Sequence, residues 1–171
     1  MNDIYTYTVP IFIKSLGGLK NFLTKAEAFA KEKGMSEEAF LADRLAPDMF
    51  PLVKQVQTAC DHAKGAAARL SGTEAPKFED NEKTFAELLT RIDKTIAFVQ
   101  SVPESSFKDA ATRQITLHYL PGKYVTGIDY TREYALPNFF FHTVTAYDLV
   151  RKNGVPIGKG DYINNVSFKD L

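Results

Sequence analysis

At 171 residues the chain is long enough to bury one substantial core and short for two domains. Its composition, 44% hydrophobic and 25% charged, is that of an ordinary globular protein and argues against disordered, collagen-like and membrane-spanning classes. Twenty-one basic residues offset 21 acidic ones, so no overall field exists to hold polyphosphate, and neither nucleic acid nor a membrane is expected as a partner. Cys60, the single cysteine, cannot close an intrachain disulfide, and no basic-then-apolar leader opens the chain, so a reducing, cytoplasmic setting is expected.

Phe12, Leu16, Leu19, Leu23, Ala26 and Ala30 recur at steps of three and four and predict a first long helix over 10–33, stopped by Gly34. Ser36, followed by Glu37 and Glu38, starts a short connecting helix that Pro47 limits to about Leu45. Asp48 is expected to cap a second long helix, 48–71, with Met49, Leu52, Val56, Ala59, Ala63, Ala67 and Leu70 as its buried stripe and Gly72 at its end. Within it, Gly65-Ala66-Ala67-Ala68 carries almost no bulk, which admits either a close neighbouring helix or space for a ligand. Phe85, Leu88, Leu89, Ile92, Ile96 and Val99 predict a third helix over 81–102, capped by Asp80 or Asn81 with Glu82 in its first turn.

Alternation at 114–119 and the Pro121-Gly122 turn predict a small hairpin or extended segment across 114–126. A fourth long helix is expected over 131–153, kinked at Pro137 and ended by Gly154 and Pro156, with an irregular tail from about 155. The pattern predicts an all-α protein: one domain, 1–171, built as a four-helix bundle with one short extra helix and a small hairpin or extended segment before the last helix.

The fourth helix carries the most informative chemistry. Asn138 and His142 are four residues apart and share a face with Ala135, Ala146 and Leu149, so a polar pair looks inward. Two readings of His142 stand: a structural histidine bonded to its bundle neighbours, or one corner of a metal or ligand site. His62 and Asp61 lie off the apolar stripe of the second helix, and His118 falls in the hairpin region. Phe139, Phe140 and Phe141 span about 200° of a helix, so one of them must leave the central seam, and dimerisation is the economical way to cover it. No P-loop, dinucleotide fingerprint or nucleophile elbow is present, and Cys60 falls on the apolar side of its helix as a packed thiol.

The segments 50–72, 76–99 and 134–162 together resemble a bacterial family of unknown function, the DUF1993 type, within the DinB/YfiT-like superfamily, many of whose members hold a metal. The resemblance implies a bundle, commonly dimeric, with a metal pocket between helices. The usual site there combines a histidine on the second long helix with a His-x-x-x-His pair on the fourth. Asn138-Phe139-Phe140-Phe141-His142 matches that pair with its first histidine replaced, and Gln57, Asp61 and His62 all lie near the height of the second-helix ligand. Two functional classes follow. One is a non-catalytic homodimer that binds a small molecule or partner in a degenerate metal pocket. The other is a thiol-transferase or hydrolase-like enzyme using a divalent metal, zinc or nickel, on His142 with His62 or Asp61. Asn138 and Tyr147 are the expected pocket-lining residues.

Overall fold

The computed structural model describes residues 3–170. A short α1 (Asp3–Thr6) precedes the first long helix, α2 (Val9–Lys33), and α3 (Glu37–Ala42) connects it to α4 (Leu52–Ser71). Helix α5 (Phe85–Ser101) is followed by a 3₁₀ turn at Glu104–Phe107 and a minimal antiparallel ribbon, β1 (Gln114–Ile115) and β2 (Val125–Thr126), with Gln114 opposite Thr126. One helical turn, α6 (Gly127–Asp129), and a π-helical turn at Tyr130–Ala135 lead into α7 (Leu136–Lys152), and α8 (Lys159–Ile163) closes the chain. Among the described residues no helix is long and apolar enough to cross a membrane.

The expected stripes are the core. Every named position of α2 is buried, as are Leu52, Val56, Ala59, Ala63, Ala67 and Leu70 of α4 and Phe85, Leu88, Ile92 and Val99 of α5. Gly34 and Gly72 end α2 and α4 in the left-handed conformation that glycine adopts without a Cβ penalty. The packing is a ring in which α2 touches α5 and α7, and α4 touches the same two from the opposite corner. Phe12 meets Phe139 and Phe22 meets Tyr147 edge-on, so α2 and α7 run parallel. Gln55 pairs with His142 and Arg69 with Tyr130, which makes α4 and α7 antiparallel.

On its other flank α4 runs parallel to α5, since Gln57 meets Glu82 and Asp61 meets Arg91. The connection 72–84 must therefore return along the whole of α4. A helix of that length spans about 30 Å, within reach of an extended strand of this size at roughly 3.3 Å per residue. Arg91 holds the returning strand down: its guanidinium, 1% exposed, pairs with Asp61 at 3.0 Å, Asp80 at 2.9 Å and Glu82 at 2.9 Å, and donates to the Glu79 carbonyl. Phe78 lies under Lys64 Nζ at 4.2 Å and under Arg91, adding a cation–π contact to the same knot.

Arg91 also explains why two helix starts differ from the sequence reading. Asp80 and Glu82 face the guanidinium instead of capping α5, which begins at Phe85 with a capping box of Thr84 and Glu87. Asp48 caps nothing either, because α4 begins only at Leu52, after Pro51. Ser36 does accept from the Ala39 N–H, as its position predicts. Pro137 lies in the first turn of α7, immediately after the π turn, where its missing N–H is tolerated. The tail read as irregular holds α8, whose Asp161 is tied to Lys25 and Asn21 of α2.

Replacing Arg91 by Gln should lower the unfolding free energy by about 2–4 kcal/mol, the lower side of the cost of breaking a buried pair because Asp61 and Asp80 keep 42% and 37% of their exposure. Urea denaturation measures the loss, and limited proteolysis should cut first within 72–84. An unchanged midpoint would show that the knot contributes nothing.

Candidate functional site

Gln55, His62 and Arg69 are spaced seven residues apart on α4, so they form one polar stripe that drifts only about 20° per step. Tyr134, Asn138 and His142 are spaced by four along the chain opposite. Because α4 and α7 are antiparallel, the two stripes face each other as a polar seam, with His142 at one end and Arg69 at the other.

At the His142 end, Gln55 is buried and both ends of its amide are engaged. Its Nε2 donates to the Phe50 carbonyl at 3.1 Å, which leaves Oε1, 2.7 Å from His142 Nδ1, as the acceptor. A carbonyl oxygen at that distance assigns the His142 proton to Nδ1 and strips it from Nε2. His62 stacks on His142 with centroids 5.5 Å apart and planes 14° apart, and Tyr134 leans against His62 at 5.7 Å. Phe50 also lies near-parallel to His142, with centroids 6.3 Å apart. His142 Nε2 and both nitrogens of His62 have no partner among the described residues and remain in contact with solvent.

Both imidazoles are held neutral. Burial pushes His142 below its ordinary value, and burial, then the neighbouring His142 and Arg69, pushes His62 down to about 4. The mouth of the seam is aromatic, with Phe50 46% and Phe141 55% exposed beside His142. Tyr119 reaches in from the β1–β2 loop and donates to the Tyr134 hydroxyl. The π turn sets this wall, since it stacks Tyr130 on Tyr134 with centroids 5.6 Å apart.

Of the residues singled out in the sequence, the structure brings His142 and His62 together. Asn138 lies one turn before His142, with its amide turned onto the Tyr134 carbonyl at 2.7 Å. Asp61 is taken up by Arg91 and by Lys64 at 3.1 Å on the α5 side. Tyr147 packs against Phe22 and Tyr162, on the α2 and α8 side of α7. His118 is exposed beside Tyr119. Cys60 is fully buried, its thiol pushed up to about 12 by burial. Gln55, Arg69 and Phe50 were not foreseen. The seven-residue spacing of Gln55, His62 and Arg69 was the available signal.

Among the described residues no three His, Cys, Asp or Glu side chains gather as a metal site. Two imidazoles fall short of the three protein ligands that a catalytic zinc centre takes and the four that a structural one takes. The donor set therefore does not fit a resident metal.

The fold and seam define an all-α bundle of the DinB kind. The chain belongs to the family described as domain of unknown function DUF1993, whose model matches residues 4–163. It is similar to a DinB family member protein from Shewanella denitrificans solved by crystallography, at 44% identity, with 98% of this chain and 95% of that chain covered and a TM-score of 0.94. No curated protein matches the chain.

His62 titrates near 4 when folded and near 6.5 when unfolded, so the unfolded chain binds the extra proton between those values and stability falls as pH drops through that window. The loss from His62 should be on the order of 2–3 kcal/mol, with His142 adding in the same direction. Denaturation followed from pH 7 to 4.5 checks this, and His62→Gln should flatten the slope. An unaltered slope in that variant would place the titration elsewhere.

Proposed function

We propose that this protein is a cytoplasmic, non-catalytic binding bundle whose α4–α7 mouth takes a small, flat, neutral molecule carrying an N–H or O–H donor. The observation that carries this reading is the Gln55 lock. It presents His142 Nε2 as a bare acceptor beside a second neutral imidazole, inside a rim of Phe50, Phe141 and Tyr134. An aromatic wall supplies area for a ring, and the lone pairs supply orientation. An acceptor that the bound ring seals off from water must be satisfied by the ligand, and so discriminates strongly against analogues lacking the donor.

Phenol and anisole test the reading, since they differ in little but the donor. Phenol should bind at least about tenfold more tightly, by calorimetry or amide shifts, and His142→Ala should remove the preference. The same substitution orphans Gln55 Oε1 and should cost about 1–3 kcal/mol of stability. Equal binding of the two probes overturns the reading. So does stoichiometric zinc or nickel in the purified protein that His142→Ala abolishes, because that outcome returns the site to metal chemistry.

The exposed rings of Phe141 and Phe50 support assembly as a homodimer through the face around the mouth. Light scattering should give about 38 kDa, twice the 19.1 kDa chain, and Phe141→Glu should give the single chain mass. A monomer of the parent at micromolar concentration contradicts it.

A further inference from the structure

At the far end of the seam, Arg69 occupies the last turn of α4 with one side-chain bond, from Nη1 to the hydroxyl of buried Tyr130 at 3.2 Å. Among the described residues no carboxylate pairs with it. The negative end of a helix favours a cation in this turn. It does not account for how the cation is housed. A helical side chain leans toward the N-terminus, which carries the guanidinium back over residue 65, and that residue is glycine. A Cβ built on Gly65 would lie 2.5 Å from Arg69 Nη1. The interior of α4 thus gives up a side chain where one would strike the guanidinium, and Tyr130 braces that guanidinium from the opposite element.

The guanidinium lines a cavity of about 470 Å³ beneath the β1–β2 loop. Lys123 contributes a second cation, His118, Gln114 and Thr116 add polar edges, and Leu117, Leu120 and Tyr124 contribute apolar wall. Among the described residues no acidic side chain lines it, in a chain whose charges otherwise balance. Asp129 and Glu133 line the neighbouring cavity across Leu117 and Leu120, where Asp129 is bound to Thr126 and Arg132.

We propose that Arg69, seated over Gly65 and braced by Tyr130, anchors a site for a small carboxylate with an apolar body, held in the cavity between the C-terminal half of α4 and the β1–β2 loop. A single planar fork matches a carboxylate in a two-point bond, whereas the other donors of the lining, Lys123, His118, Gln114 and Thr116, are all exposed and make no fixed cradle for the several oxygens of a phosphate. The apolar wall fits the remainder of such a molecule better than it fits a bare ion. The site lies two turns along α4 from His62, which feels the charge of Arg69, but the benzoate test reads the guanidinium and does not depend on what the imidazole pair binds.

Benzoate, benzamide and inorganic phosphate are the probes, titrated into the full chain and followed by amide chemical shifts. Benzoate should bind in the millimolar range or tighter, with benzamide and phosphate at least about tenfold weaker. Arg69→Gln should lose at least about tenfold in benzoate affinity. Gly65→Ala is the sharper variant. The atom it displaces is the flexible end of Arg69, and alanine is the better helix former, so the melting temperature should hold or rise while benzoate affinity falls by a similar factor. Full benzoate affinity in Gly65→Ala and Arg69→Gln overturns the proposal, as do equal affinity for benzamide, preference for phosphate, or no binding by the parent.

Discussion

The structure depends on the near-complete enclosure of α4. Fourteen of its twenty residues are buried, and its low-bulk run from Gly65 to Ala68 lets neighbours press in from two sides. A helix enclosed in this way leaves its polar side chains little water, and each must find a partner or a cavity. Gln55 finds Phe50 and His142, Gln57 finds Glu82, Lys64 finds Asp61 and the Phe78 ring, and Arg69 finds Tyr130. Those partners then fix the connection 72–84, the tautomer of His142 and the placement of the tyrosines. The site is a by-product of burying the helix that carries it.

Enclosure also sorts the charge. On the α5 flank of α4, acids and bases meet one another: Arg91 draws Asp61, Asp80 and Glu82, and Lys54 takes the other side of Asp80. On the α7 flank the same helix presents His62 and Arg69, and among the described residues no carboxylate bonds to either. A chain with no net charge therefore has a side closed on itself and a side with unused acceptors and an unused cation. The first is architecture. The second is where chemistry from outside can be received.

How much of this the sequence disclosed follows from the range of the interactions. The four long helices and their buried stripes were legible because apolar periodicity is local, and Gly34 and Gly72 end helices through their own backbone freedom. The start of α5 was misread because Asp80 and Glu82 are good caps on local grounds and lose to Arg91, a residue whose burial no local pattern records. The pairing of Gln55 with His142 spans 87 positions, and that of Arg69 with Tyr130 spans 61, so neither partner carries a mark of the other. His142 stood out as a histidine on an apolar helix. Gln55, which sets its proton, looked like any surface glutamine.

The π turn at Tyr130–Ala135 has a consequence for the geometry of the seam. A π turn is an α-helical turn carrying one surplus residue, and each residue of an α-helix advances its face by about 100°. The surplus thus acts as a phase shifter between the chain before it and α7 after it. It lets Tyr130 face Arg69 while His142, three turns on, faces Gln55 across the same groove. A chain shortened by one residue here would regain regular hydrogen bonds and rotate one end of the seam away from α4. The polar groups would all survive such a deletion, yet they would no longer share a wall.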